Sequence, residues 1–181
     1  ELVKSFNFEG INKSAARFDI KKALWINHLH LKKLDSKKIL DLSGQTKSLL
    51  FEKYNKNEAL EIIELVKVRL NTTKDIDKEL SVFINQPIEI DMSAIEKINR
   101  EVIFDVLNFC KFNIELVKSP SELKNGLSKF GAENDISFGN IMKTLRLSLV
   151  GSLSGPDLFK IIDFIGPDET LQRIENLINK I

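Results

Sequence analysis

Apolar residues recur at intervals of three and four nearly from end to end of this chain, and that period belongs to helices. Phe138, Ile141, Met142, Leu145 and Leu149 fall at i, i+3, i+4, i+7 and i+11, which is one helical face. The run LRLSLV alternates like a strand when taken alone, but the longer window outweighs it. Gly151 is placed to end that helix. The same period appears in IKKALWINHLHLKKL, where Ile20, Leu24, Leu31 and Leu34 share a stripe flanked by Trp25 and Leu29, with Asp19 as a cap. It appears again in Leu60, Ile63, Val66 and Leu70, and Ile76, Leu80 and Phe83 continue it.

NQPIEID interrupts the pattern, because Pro87 has no amide hydrogen and Asn85 and Gln86 add no apolar period. A boundary is expected there, between helical subdomains at residues 1–86 and 87–181. Beyond it, Ile95, Ile98, Val102, Val106, Phe109 and Cys110 form an apolar face. Ser119-Pro120-Ser121-Glu122 reads as a capping box with proline at the first helical position. Leu123, Leu127 and Phe130 face inward from that helix, and Gly131 is expected to close it with a left-handed cap. Ser154-Gly155-Pro156-Asp157 can cap a further helix, whose Leu158, Ile161, Ile162 and Ile165 pack inward until Gly166 stops it. Pro167, Asp168 and Glu169 open the last helix, with a face of Leu171, Ile174, Ile178 and Ile181. The expected fold is all-α, in two helical subdomains.

GSLSGPDLF, residues 151–159, looks at first like a reactive loop. A nucleophile elbow needs serine at the centre of G-x-S-x-G; here Leu153 is central and a helix precedes it. The phosphate-cradling patterns G-x-x-x-x-G-K-[ST] and G-x-G-x-x-G are absent. The expectation is a joint between helices, with no catalytic residue at Ser152 or Ser154. His28 and His30, two apart, diverge by about 200° on a helix, so no metal site is expected and both read as surface or packing residues. The carboxylates are scattered along helix faces and read as solvated.

With 43% hydrophobic and 29% charged residues, 181 residues suffice for one large domain or two small ones. The net charge of +1 gives no global attraction for nucleic acid, so such binding would need a local basic patch. Lys21, Lys22, Lys32, Lys33, Lys37 and Lys38 crowd the first third, while Arg69, Arg100, Lys143, Arg146, Lys160 and Arg173 are spread over the rest. Charged helix faces are usually solvated. Arg146 differs, because it sits about one turn before the glycine loop and its planar fork suits base edges and phosphates. The single cysteine, Cys110, excludes an internal disulfide and a cysteine zinc site and fits a reducing compartment. No apolar run approaches the roughly 18 residues of a membrane span, so no membrane partner is expected. The chain begins at Glu1, with methionines only at 92 and 142, and is expected to be a piece of a longer protein.

Three segments resemble bacterial-type glutamyl-tRNA synthetases. FDIKKALWINHLHLKKL is similar to the family's F-D-x-x-K-L-x-W-x-N-x-x-Y-I through Phe18, Asp19, Lys22, Trp25 and Asn27, with Ala23 and His30 departing. VKVRLNTTKDI resembles its arginine followed by T-L-K-E through Arg69, Thr72 and Lys74. LRLSLVGSLSGPDLFKIIDFIGPDETLQRI resembles L-R-x-A-L-T-G … P-x-L-F-E-V-L-x-L-L-G-K-E-x-x-L-x-R-L. There Leu145, Arg146, Leu149, Gly151, Pro156, Leu158, Phe159, Gly166, Glu169, Leu171 and Arg173 match, while Ser148, Val150 and Pro167 depart.

The resemblance implies the all-α anticodon-binding region of a class I synthetase, with stem-contact helices first. The signatures H-I-G-H and K-M-S-K-S are missing; a lysine–serine pair at residues 12–15 does not supply the second. No cofactor is therefore expected here, whereas the parent would use ATP and Mg to ligate glutamate to tRNA-Glu. Implied anticodon contacts are Arg69, Arg146, Ser154, Gly155, Pro156 and Leu158, with Lys143 and Lys160 near phosphates. Arg69 corresponds to the arginine associated with the third anticodon base, which separates glutamate from glutamine tRNAs. A cytoplasmic monomer that binds no DNA is expected. The competing expectation is a helical protein-interaction scaffold without RNA.

Overall fold

The computed structural model describes residues 2–8, 17–116 and 119–181; the lysine–serine pair of residues 12–15 lies outside them. Among the described residues all regular structure is helical. In chain order the helices are α1 (Leu2–Ser5), α2 (Ile20–Lys33), α3 (Ser36–Leu42), α4 (Thr46–Lys53), α5 (Lys56–Lys67) and α6 (Asp75–Ile84). They continue with α7 (Met92–Ile95), α8 (Arg100–Asn113), α9 (Pro120–Glu133), α10 (Phe138–Val150) and α11 (Leu158–Ile178). Local chemistry sets most of the starts: Asp19, Asn55, Asn99, Ser119, Ser137 and Asp157 each accept a first-turn backbone N–H. Such caps satisfy donors that have no partner within the helix.

Helices α3 to α6 pack together, and α8 to α11 pack together. The first group closes over Ile39, Leu50, Ile62, Ile63, Leu80 and Phe83, all fully buried. The second closes over Val106, Leu107, Leu127, Leu145, Ile161 and Ile174. Each such side chain contributes about 1.5–3 kcal/mol by leaving water. Helix α11 also meets α6. There the Phe164 ring stands edge-on to Tyr54 and Phe83, with centroids 6.0 Å apart in both pairs. Segment 85–91 carries no helix between α6 and α7. Gly166, at φ 78° and ψ 173°, interrupts α11; that backbone region is essentially glycine's alone.

Several expectations need correction. The α2 stripe is not a core face along its length: Leu31 is buried and Leu34 half-buried, but Ile20, Leu24 and Trp25 are exposed. The helical period marks an amphipathic face without saying what covers it, and no described element covers this one. The apolar pattern from Leu60 to Phe83 is carried by two helices, α5 and α6. Asp75 accepts the backbone N–H groups of Asn71 and Thr72, at 2.9 and 2.8 Å, and holds a turn between them. Gly131 is not a left-handed cap, because α9 runs through it and the left-handed residue is Asp135 (φ 54°). Glycine is needed at 131 because a Cβ there would stand 2.7 Å from both the Ile136 carbonyl oxygen and Ile141 Cδ1.

Arg173 is the largest departure. It is buried at 1% exposure, not solvated. Its Nε donates to Glu169 at 2.8 Å, and its NH1 donates to the carbonyls of Val82 and Leu149, both at 2.8 Å. One side chain therefore ties α11 to the end of α6 and to the last turn of α10. A buried charge is tolerated when it is paired and hydrogen-bonded; here Nε and NH1 are, while NH2 is buried without a partner among the described residues.

Candidate nucleic-acid interface

Loop 151–157 joins α10 to α11, and its shape follows from its ends. Gly151 takes φ 80° and stops α10, while Asp157 starts α11 by accepting the Lys160 N–H at 2.9 Å. The Gly151 carbonyl accepts from Asp91 N–H at 2.8 Å. A Cβ at 151 would lie 2.3 Å from the Glu89 carbonyl oxygen, so only glycine lets the 85–91 segment approach.

Arg146 lies on α10 and reaches forward over the loop. Its NH1 donates to the Pro156 carbonyl at 2.8 Å. Gly155 makes room for it, since a Cβ there would sit 3.3 Å from that NH1 and 3.0 Å from a Val150 methyl. Arg69 arrives from the end of α5, fixed by the buried Leu70 beside it. Its NH2 donates to the Ser154 hydroxyl at 2.8 Å, and its Nε pairs with Glu79 at 2.7 Å. Arg146 has its pKa lowered by burial and then by the charge of Arg69, with Asp157 opposing. Two guanidinium groups thus share one small region beside an exposed loop, with the Glu79 and Asp157 carboxylates as opposing charges.

The structure brings Arg69, Arg146, Ser154, Gly155 and Pro156 together. Ser154 is exposed and Gly155 half-buried, whereas the Pro156 and Leu158 side chains are buried. Pro156 and Leu158 therefore shape and anchor the loop with their side chains. Lys143, one turn before Arg146, is exposed, as is Lys160, whose ammonium lies 3.8 Å from Asp163. The Ser152 hydroxyl donates to the Ser154 carbonyl at 2.8 Å. His28 Nδ1 contacts the Leu70 carbonyl at 2.8 Å, as a packing residue would, and His30 is exposed.

Three features escaped the sequence reading. Leu153 is the loop's exposed apolar residue, at 44%; its position at the centre of GSLSG was the available signal. Glu79 is the partner of Arg69, and no spacing rule singles it out. A groove of about 360 Å³, lined by Lys21, Leu24, Trp25, His28, Val68, Arg69 and Asn71, runs from the exposed face of α2 to Arg69.

Two arginine forks beside an exposed loop have the geometry to meet base edges and phosphates. The sequence model of a family described as "Anticodon binding domain" matches residues 29–178, and the chain belongs to that family. It is similar over its whole length to "Glutamate--tRNA ligase" of Flavobacterium johnsoniae, at 31% identity, and spans 36% of that relative. "Glutamate--tRNA ligase 1" of Sulfurovum sp. is 26% identical, again over the whole chain, which spans 39% of it. Among solved structures, a glutamate tRNA ligase from Elizabethkingia meningosepticum in complex with its amino acid superposes with a TM-score of 0.75. The identity is 30%, covering 96% of this chain and 35% of that one. A glutamate-tRNA synthetase from Elizabethkingia anophelis gives 0.71 at 30% identity, covering 99% and 35%. The chain thus spans little more than a third of the length of these relatives.

Proposed function

We propose that this chain reads the anticodon of tRNA-Glu as the anticodon-binding part of a glutamate–tRNA ligase. The observation that carries the reading is the convergence of Arg69 and Arg146 on loop 151–157. Anticodon bases are splayed out of their loop, so their edges are open to arginine forks and backbone groups. Ser154, Gly155 and the Pro156 backbone belong to the same contact, with Leu158 holding the loop from the core. Lys143 and Lys160 take phosphates and give the binding its salt dependence. Arg69 reads the third base. The division at residues 86 and 87 separates a first, stem-contacting group of helices from a second that carries the loop.

Ligation of glutamate to tRNA belongs, in this reading, to the whole ligase, where ATP and magnesium serve the reaction. A cytoplasmic monomer without DNA binding completes the proposal.

The test is filter binding of a tRNA-Glu transcript to the chain at two salt concentrations. Arg146→Ala and Arg69→Ala should each weaken binding by about 1–3 kcal/mol. Unchanged affinity in both variants sinks the assignment. The exposed Ile20 and Trp25 of α2 favour a second reading, a surface for protein contact without RNA. That reading predicts no salt-dependent affinity for the transcript.

A further inference from the structure

A reading arginine is useful only if its fork is held before the base arrives. Arg69 has a difficulty in this respect, because a second guanidinium, Arg146, is close enough to be affected by its charge. Like charges repel, and a flexible side chain at the edge of a helix end would swing away. Glu79 opposes this. It stands on α6, beside the fully buried Leu80 and one turn after the fully buried Ile76. Its carboxylate accepts the Arg69 Nε–H at 2.7 Å, with the two side chains only 16% and 28% exposed. Ser154 takes NH2 from the other side. These two contacts use Nε and one hydrogen of NH2, so they leave NH1 and the second NH2 hydrogen of the fork unengaged by Glu79 and Ser154.

We infer that Glu79 is the positioning residue that makes Arg69 selective at the third anticodon base. The inference rests on the proposed anticodon reading and adds a residue to it. Glu79 neutralises the second of two crowded cations and aligns the guanidinium through its Nε. It touches no base. Its carboxylate also adds a negative charge to a surface that must approach phosphates, so it opposes general RNA affinity while it enforces selectivity. Removing that charge therefore has two effects of opposite sign: selectivity falls, while affinity for a mismatched tRNA holds or rises.

The experiment uses the whole chain and two tRNA-Glu transcripts that differ only at the third anticodon base, cytosine in one and guanine in the other. The readout is the ratio of their dissociation constants. The unaltered chain is expected to favour cytosine, and Arg69→Ala to abolish the preference. Glu79→Gln keeps shape and an acceptor oxygen but loses the charge; it should lose part of the ratio, with guanine-transcript affinity equal or higher. Glu79→Ala should lose most of the ratio, on the order of fivefold to tenfold. In an Arg69→Ala background Glu79→Ala should change the ratio no further. An equal loss of affinity for both transcripts would mark Glu79 as a fold support and overturn the inference. So would a ratio unchanged by Glu79→Ala while Arg69→Ala still abolishes it, and in that case the anticodon reading survives. Absence of any tRNA affinity, or of any effect of Arg69→Ala and Arg146→Ala, removes the reading itself and the inference with it.

Discussion

Replacing Arg173 by methionine keeps an unbranched side chain in a buried site and removes every polar contact it makes. The Val82 and Leu149 carbonyls lose a charged donor, and Glu169 loses its ion-pair partner. Net contributions of hydrogen bonds to charged groups run to about 1.5–3 kcal/mol each. Breaking a buried pair from one side typically costs about 3–5 kcal/mol. Two features lower the sum here. Glu169 is 23% exposed and has Gln86 Nε2 at 3.3 Å, so it is not stranded. Methionine also buries apolar surface without desolvating a charge. The expected loss is about 2–4 kcal/mol. For a chain of this size each kcal/mol moves Tm by about 2–4 °C, so the midpoint should fall by roughly 10 °C. Thermal melting followed by circular dichroism, with a urea titration to check that the slope is unchanged, measures it. Arg173→Lys should recover little, because one ammonium cannot span Glu169 and two carbonyls on different helices. A methionine variant as stable as the parent, or more stable, would refute the reasoning. It would mean that desolvation of the guanidinium outweighs its three contacts.

Tyr54 is the only tyrosine, so its titration can be followed by tyrosinate absorbance. Burial, partly opposed by the charge of Arg173, pushes its hydroxyl up to about 12. The folded state then binds the proton more tightly than the unfolded chain, whose tyrosine titrates near ~10. This contribution to stability is whole below ~10 and is lost as pH rises towards about 12. A folded-state midpoint near ~10 would contradict the burial, and Tyr54→Phe should remove this part of the alkaline loss. Gly151→Ala should destabilise by at least about 3 kcal/mol. The added methyl meets the Glu89 carbonyl oxygen at 2.3 Å and Pro87 Cβ at 2.9 Å, at a backbone φ of 80°. Gly139→Ala, whose methyl meets only Ser137 Oγ at 4.0 Å, should instead gain about 0.5–1 kcal/mol. Equal melting temperatures for the two variants would show that segment 85–91 does not press on Gly151.

What could be read in advance was local. The caps at Asp19, Ser119 and Asp157, the stop at Gly151 and the break at Gly166 depend on side chains within a few residues of the backbone they serve. The errors arise where a distant partner decides. In the last helix the expected stripe was Leu171, Ile174, Ile178 and Ile181, but the most deeply buried residues are Thr170, Arg173, Ile174 and Leu177. That face also has spacing i, i+3, i+4 and i+7, and only its polar members hid it. On α2 the apolar period was correct, yet burial depends on a covering surface that no local pattern encodes. Between α5 and α6 the step from Leu70 to Ile76 is six residues, about 240° on a helix, so the apolar face does not carry through, yet both side chains are fully buried. That gap and the Asn-Thr-Thr segment within it mark the turn in the sequence.

The candidate site divides along the same line. Arg146 and its loop share one stretch of sequence and could be seen together. The rigidity of the loop could not, because it is imposed from elsewhere. The Leu149 carbonyl, in the last turn of α10, is held by Arg173 from α11, and the Gly151 carbonyl is held by Asp91 from the preceding segment. Ser154 is held by Arg69, 85 residues away, which Glu79 holds in turn. These contacts join residues far apart in the sequence, and the one from Arg69 to Ser154 forms only when both groups of helices are in place. A loop held at three points from outside has little freedom left to lose on binding. Its capacity to select a ligand therefore belongs to the junction between the helix groups as much as to GSLSGPDLF, and substitutions at Arg173 or Glu79 should disturb it without altering a residue of the loop.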